Sequence, residues 1–348
     1  GRPLMVRNFT KYRSWIGAAA ASLVALAPLG CGGKPPGDPT TVGDGTLPID
    51  VDGDPLLLLP SGAFAAGEID VRAWFAAGRS GTKMVAIADA YNPFADSFGV
   101  VASRDIDKIT FVAFAGASLE VLGVARGTFD AAKFREAAEK KLLVADGSPV
   151  IASRYRNADL YTVANVGFSV LSGKTMLVGT EGGLRRALDR VHDGQIAGKP
   201  ALNLDGELLA AVQDGSPLAF AYVAAPGSPA ALAVGSLPKP AVGELVVDKL
   251  VGGRLKAGFA GERTRVQALL ATNSPEDATE MREELQRLAR MYALASLVTA
   301  LPRLVESRIE KGVDSSEAPS GASLVRVDLS VDDGPLARAL GAVPLPRR

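Results

Sequence analysis

The sequence contains little of the chemistry from which most catalytic and metal sites are built. Its 348 residues include one cysteine, Cys31, and one histidine, His192. The usual zinc sites need several cysteine or histidine ligands, and a lone cysteine cannot form an internal disulfide. A Ser-His-Asp triad would have to recruit His192, and no G-x-S-x-G motif is present to hold its serine. We therefore predict no metal, no cofactor and no enzyme activity.

Aromatic residues and excess positive charge are also scarce. Aromatics make up 6% of the chain, and 38 basic residues are balanced by 38 acidic ones. Residues 1–30 hold four basic residues and no acidic one, so their removal would leave 34 basic against 38 acidic residues, a net charge of −4. Nucleic-acid binding requires clustered Lys and Arg or aromatic stacking platforms. The composition therefore predicts that nucleic acid is not a partner.

The N-terminal segment has the layout of a secretion signal. Four basic residues come first, at Arg2, Arg7, Lys11 and Arg13. An uncharged run from Trp15 to Leu29 follows, and the first acidic residue is Asp38. The run is shorter than the roughly 20 apolar residues of a membrane-spanning helix. We predict a signal peptide over residues 1–30, with an uncleaved membrane anchor as the alternative.

The end of this segment resembles the lipobox of bacterial lipoprotein precursors. The residues are Ala27-Pro28-Leu29-Gly30-Cys31. Gly30 and Cys31 match the pattern, whereas Pro28 and Leu29 depart from it. The resemblance implies cleavage before Cys31 and acylation of its thiol. More than one acyl chain would give stable membrane anchoring.

Residues 31–54 are rich in Gly, Pro and Asp, which predicts a lipidated, solvated tether. Within this tether, Asp50-Val51-Asp52-Gly53-Asp54 is similar to the opening of a calcium loop. Pro55 stands where the turn glycine belongs, and Ser61 replaces the bidentate acid at the twelfth position. We therefore favour a linker over a calcium site.

The body is predicted to be α+β, with two related units of antiparallel sheet and helices packed on one face. The predicted hairpins are 108–115 with 119–125, and 255–260 with 263–271. Asp70, Asp130 and Ser274 are predicted helix caps. Closing helices with an Arg-Ala-Leu pattern are predicted near 183–191 and 334–340. We interpret the recurring order as a diverged duplication, with a first unit at 55–200 and a second at 201–348.

Three short patterns in the body are similar to known motifs. Gly173-Lys174-Thr175 is similar to the end of a phosphate-binding loop, but Phe168 replaces the required glycine, so a hairpin turn is favoured. Ser80-x-x-Lys83, Tyr155-x-Asn157 and Lys174-Thr175 are similar to the three elements of penicillin-binding serine acyl-transferases. Met176 replaces the glycine of the third element, which makes this function the least favoured. His192 is predicted to stabilise the end of a helix.

The whole body resembles uncharacterised two-unit lipoproteins of Gram-negative bacteria, although no specific motif carries the resemblance. It implies an extracytoplasmic, lipid-anchored protein of the cell envelope, at the outer rather than the inner membrane. We predict non-catalytic binding or scaffolding, with the membrane and an unknown protein or apolar ligand as partners. The alternative is a carrier or sensor of an apolar ligand such as a lipid.

Overall fold

The computed structural model describes most of the body of the chain. The described residues are 50–343 and 345, without 93–97, 116–118, 141–148, 164, 195–203, 205, 225–226, 230–248, 300–304, 312–322 and 344. Cys31 and the predicted signal peptide therefore lie outside the described residues. No helix in the described part is long and apolar enough to cross a membrane.

Twelve strands can be described. They are β1 (Ala63–Asp70), β2 (Ile106–Ala115), β3 (Leu119–Gly127), β4 (Ile151–Tyr155), β5 (Ala158–Val163), β6 (Val166–Val170), β7 (Thr175–Thr180), β8 (Leu218–Val223), β9 (Leu250–Ala260), β10 (Arg263–Thr272), β11 (Val305–Lys311) and β12 (Ser323–Asp332).

The described helices are interspersed with these strands. They are α1 (Val71–Phe75), α2 (Gly78–Tyr91), α3 (Ala102–Asp105), α4 (Ala131–Glu139), α5 (Glu181–His192), α6 (Gly206–Val212), α7 (Pro275–Thr299) and α8 (Asp333–Gly341). A single turn of 3₁₀ helix, Pro55–Leu58, precedes β1.

The strands form one sheet in the order β11-β12-β10-β9-β8-β1-β2-β3-β7-β6-β5-β4. Every adjacent pair is antiparallel. The predicted α+β class with antiparallel pairing is therefore confirmed. Both predicted hairpins are also confirmed, as β2–β3 and β9–β10. The central contact joins β1 to β8, where Ala66 pairs with Ala221.

The predicted helix caps form as expected because capping is a local interaction. The Asp70 carboxylate accepts from the N–H of Ala73 at 2.8 Å, and Asp130 accepts from the N–H of Ala132 at 3.0 Å. At the start of α7, the Ser274 hydroxyl accepts from the N–H of Asp277 at 3.1 Å. Each cap satisfies a backbone donor that has no partner within its helix.

Helices cover both faces of the sheet, so the prediction of helices on one face is wrong. One buried cluster includes Leu122, Val124, Leu177, Leu184 and Leu188, from β3, β7 and α5. A second cluster includes Phe98, Ala125, Phe134, Phe168 and Met176, from β3, β6, β7, α4 and the segment before α3. Neighbouring residues of a strand point to opposite faces. Because Val124 and Ala125 belong to different clusters, α5 and α4 pack on opposite sides.

The described end of the predicted tether, residues 50–54, contacts the sheet through Val51 and Asp52, while Asp50, Asp52, Gly53 and Asp54 are exposed. The side chain of Val51 is 7% exposed, and its carbonyl accepts from the Arg126 guanidinium at 2.9 Å. The Thr175 hydroxyl donates to the Asp52 carboxylate at 2.7 Å. Sequence composition predicts a spacer here because it carries no information about tertiary contacts. Arg126 of β3 and Thr175 of β7 come together only in the folded sheet.

Candidate functional site: a basic groove between two helices

The candidate site lies between α2 and α8, two helices that are far apart in the sequence. α2 follows β1 through the short helix α1, and α8 begins immediately after β12. The carboxylate of Asp333, the first residue of α8, accepts from the backbone N–H groups of Arg79 and Ser80, each at 2.9 Å. The N-terminus of α2 is thus capped by a residue about 250 positions away.

Apolar packing holds the two helices in this arrangement. Ile87 of α2 and Leu340 of α8 are buried together with Val343, which follows α8. Met84 and Leu336 pack against this cluster from the two helices. Because both helices are fixed at their N-termini and along their apolar sides, the groove between them is a defined feature of the fold.

The groove has a volume of about 550 Å³ and is open to solvent. It is lined by Arg79, Thr82, Lys83, Gly334, Ala337, Arg338 and Gly341. Three of these side chains are cationic, and glycine and alanine residues of α8 form much of the opposite wall. The side chain of Lys83 lies beside Gly341, and the guanidinium group of Arg338 lies beside Gly334.

The positive charge of the groove is not neutralised by ion pairs. Within the described residues, none of the side chains of Arg79, Lys83 and Arg338 lies within 4 Å of a carboxylate oxygen. Several cations nearby on the sheet are paired, as Lys108 is with Glu68 at 2.9 Å. The groove is therefore a concentration of available positive charge.

Asp333 is the acidic group at the head of the groove, and its charge is already engaged by the protein. Hydrogen bonding with Ser80, together with the backbone N–H and the positive charge of Arg79, holds the pKa of Asp333 below its ordinary value. Its carboxylate therefore stays ionised and fixed on the α2 N-terminus, where a negative charge is favourable. The side chains of Arg79, Lys83 and Arg338 remain exposed to a ligand.

The arrangement suits binding of an anion. Two guanidinium groups and an ammonium group can donate charge-assisted hydrogen bonds to phosphate or carboxylate oxygens. Thr82 adds an exposed residue whose hydroxyl donates weakly to the Gly78 carbonyl at 3.4 Å. The lining provides no cysteine, histidine or carboxylate to act as a nucleophile or base.

The three elements of the acyl-transferase pattern have separate environments. Ser80 is 1% exposed and its hydroxyl donates to the Ala77 carbonyl at 3.0 Å. The Tyr155 hydroxyl donates to the Asp189 carboxylate at 3.0 Å. Lys174 lies in the turn between β6 and β7, which confirms the hairpin interpretation of Gly173-Lys174-Thr175. The structure does not bring these residues together.

The acidic stretch at residues 50–54 does not form a ligand shell. Asp50 accepts from the N–H of Asp52, and Asp54 accepts from the N–H of Leu56 at the start of the 3₁₀ turn. Asp52 is engaged by Ser172 and Thr175. Among the described residues, no group of three or more potential metal ligands is found.

His192 is the last residue of α5, as predicted. Gly194 follows with φ +69°, a left-handed conformation that glycine adopts without steric cost and that commonly ends helices. The prediction of a helix-terminating histidine therefore agrees with its position in the fold.

The groove was not predicted from the sequence, although part of the signal is present. Arg79 and Lys83 are four residues apart in the sequence, a spacing that places two side chains on one face of a helix. The contribution of Arg338 could not be predicted, because nothing in the local pattern indicates that α8 packs against α2.

No protein-family model matches the chain, and no curated protein sequence matches it. Solved structures of TP0453 are similar in part. Crystal form I has 11% identity and a TM-score of 0.46, covering 84% of this chain and 98% of that chain. Crystal form III has 14% identity and a TM-score of 0.47, covering 83% and 98%. We draw nothing about function from a similarity of this size.

Proposed function

We propose that the chain is a lipid-anchored, extracytoplasmic protein of the cell envelope that binds anionic groups without catalysis in the α2–α8 groove. The groove carries the binding part of the proposal, because three cationic side chains that form no ion pair within the described part of the chain line its open space. The sequence before Cys31 supports the anchor. Attachment at the outer rather than the inner membrane remains the preferred localisation.

The proposed body consists of two related units, at 55–200 and 201–348. Reading outward from the centre of the sheet, the order β1-β2-β3-β7-β6 on one side corresponds to β8-β9-β10-β12-β11 on the other. In both halves a helix follows the third strand, as α4 and α7, and another follows the fourth strand of that order, as α5 and α8. This correspondence supports a diverged duplication.

A carrier or sensor of an apolar ligand is the alternative function. Such a role calls for a largely apolar cavity. The α2–α8 groove is lined by three cations and is open to solvent, so it favours anion binding.

The anchor is tested by metabolic labelling with a radioactive fatty acid. We expect the full-length wild-type protein to carry label and to fractionate with membranes. The Cys31→Ser variant should carry no label. Label that persists in Cys31→Ser, or its absence from the wild type, would contradict the proposed anchor.

Anion binding is tested by calorimetric titration with inorganic pyrophosphate. The wild type should bind with millimolar affinity that weakens as salt is added, because exposed charges are screened. The variant Arg79→Gln/Lys83→Gln/Arg338→Gln should show no measurable heat of binding. Equal binding by both proteins would rule out the groove as the site.

A further inference from the structure

The strand registers show which strand ends lie side by side in the sheet. Near one end, Arg126 of β3 pairs with Thr175 of β7 and with Lys108 of β2, and Lys108 pairs with Asp70 of β1. At the same end, Leu218 of β8 pairs with Ile69 of β1 and with Ala257 of β9. Arg263 of β10 pairs with Ala260 of β9 and with Asp332 of β12. These pairs span from β7 to β12. We call this end of the sheet the entry end, because residues 50–54 dock there on Arg126 and Thr175.

The basic groove is built at the same end. β1 ends at Asp70 and leads through α1 into α2, and β12 ends at Asp332 and leads directly into α8. The N–H of Asp333 also donates to the carbonyl of Glu262, in the turn between β9 and β10. The two helices that form the groove therefore both begin at the entry end.

Covalent geometry links this end to the proposed anchor. Nineteen residue steps separate Cys31 from Asp50 and span at most about 70 Å in any conformation. The opposite end of the sheet lies about 33 Å from the entry end, the length of a ten-residue strand such as β10. The tether can span more than this length, so the attraction of cations to the membrane decides which end faces the lipid. Because attraction to a charged surface decays over about 10 Å, only cations on the side near the membrane can be strongly attracted to anionic lipids.

We propose that the groove binds the phosphate groups of anionic lipid headgroups in the membrane that holds the anchor. This proposal rests on the proposed function and specifies its ligand. Arg79, Lys83 and Arg338 supply the charge, and the open groove admits a headgroup from the membrane side. Binding would fix the orientation of the body, with the entry end towards the lipid.

The test uses the mature lipoprotein with its anchor, reconstituted in vesicles. Cys31 is the only cysteine of the chain, and acylation would block it, so an introduced cysteine can be labelled alone. Ala86→Cys places a fluorophore on α2, four residues beyond Thr82 and exposed. Asn273→Cys is the matched position, exposed and just beyond the opposite end of β10. Quenching by lipids with a nitroxide on the headgroup reports proximity to the membrane surface.

In vesicles containing phosphatidylglycerol, quenching at position 86 should exceed that at 273 by about two-fold or more. The excess should disappear in phosphatidylcholine vesicles and in Arg79→Gln/Lys83→Gln/Arg338→Gln. It should persist in Lys133→Gln/Arg265→Gln/Arg326→Gln, which removes the same charge from other exposed positions. Equal quenching at positions 86 and 273, or an excess that the groove variant retains, would overturn the proposal.

Two further measurements distinguish this proposal from a site for a free anion and from a failure of the proposed anchor. Millimolar inorganic phosphate should lower the excess only in part, because the anchor holds the groove beside many headgroups at high local concentration. If the groove binds phosphate in solution but gives no excess on phosphatidylglycerol vesicles, it is a site for the free anion and the lipid assignment is wrong. Flotation of the vesicles before the measurement tests the anchor itself. A protein that does not float with its vesicles refutes the proposed anchor, whereas one that floats without the excess refutes only the headgroup site.

Discussion

Asp333 connects the strand framework to the helices that form the groove. Its backbone N–H donates to Glu262 at 2.9 Å, and its carboxylate caps the N-terminus of α2. A capping carboxylate satisfies donors that would otherwise be unpaired and interacts favourably with the helix dipole. The geometry of the groove therefore depends on one side chain that bridges α8 and α2.

Replacing Asp333 tests this role. We expect Asp333→Ala to lower the free energy of unfolding by about 1 kcal/mol, the usual cost of a lost N-cap. Urea denaturation at neutral pH measures the change. Asp332→Ala is the matched control, since its ion pair with Arg263 is exposed and should contribute less than about 0.5 kcal/mol. An effect of Asp333→Ala no larger than that of the control would contradict the bridging role.

Stability should fall in acid because several carboxylates have lowered pKa values. Burial raises the pKa of Asp52, but hydrogen bonds from Ser172 and Thr175 and the charge of Arg126 outweigh it and hold this pKa below its ordinary value. The pKa of Asp105 is lowered in the same way, with Arg104 and the Val101 N–H opposing burial.

A folded-state pKa below the unfolded value gives stability that is present above the unfolded pKa and lost as pH falls through the folded one. We expect a constant contribution from these groups above about pH 5 and a progressive loss below about pH 4. Urea unfolding across this range measures the loss, and Asp52→Asn should reduce its slope. Stability that rises on acidification would be inconsistent with these assignments.

Strand β1 lies at the centre of the sheet and depends on a glycine. A Cβ atom at Gly67 would lie 2.5 Å from the Phe111 ring and 2.6 Å from the carbonyl oxygen of Ala219. The rings of Phe111 and Phe220, the strand partners of Gly67, are stacked with centroids 6.0 Å apart. The absence of a side chain lets an aromatic ring lie across the strand.

We expect Gly67→Ala to destabilise the protein by about 1–3 kcal/mol, because the clash includes backbone that cannot move away without opening the β1–β8 contact. Thermal or urea unfolding measures the cost. Gly206→Ala, at the first residue of α6 with nothing within 4 Å of the new methyl group, should be neutral or slightly stabilising. A neutral Gly67→Ala would show that the sheet centre is less tightly packed than described.

The sequence predicts those secondary-structure features that depend on residues close together in the chain. The caps at Asp70 and Ser274 and the β2–β3 hairpin depend on residues a few positions apart, and they are confirmed. Which faces of the sheet the helices cover is not decided by residues close together in the chain. β7 buries both Met176 and Leu177, on opposite faces, a pattern that periodicity does not separate from a strand with one covered face. The groove likewise combines Lys83 with Arg338, which only tertiary packing brings together.

The described strands form one continuous sheet across the two proposed units. β1 and β8 pair over five residues, from Ala65–Tyr222 to Ile69–Leu218, and the Asp333 bridge adds a second link between the units. An edge strand left without its neighbour exposes unpaired backbone groups and half of its packing surface.

We therefore expect the body to unfold in one cooperative transition. A chain truncated after residue 200 should not form a stable fold, because β1 loses β8 and α2 loses α8. Calorimetry of the full protein and circular dichroism of the truncated chain measure these outcomes. Two separated transitions, or a truncated chain with a sharp melt of its own, would mean that the units are independent domains.

Anchorage through Cys31 is the claim on which the membrane-facing groove depends. Mass spectrometry of the N-terminal peptide of the protein purified from membranes tests it most directly. We predict a mature chain that begins at Cys31 and carries the added mass of its acyl chains. A peptide that retains any part of residues 1–30, or an unmodified Cys31, would contradict the account.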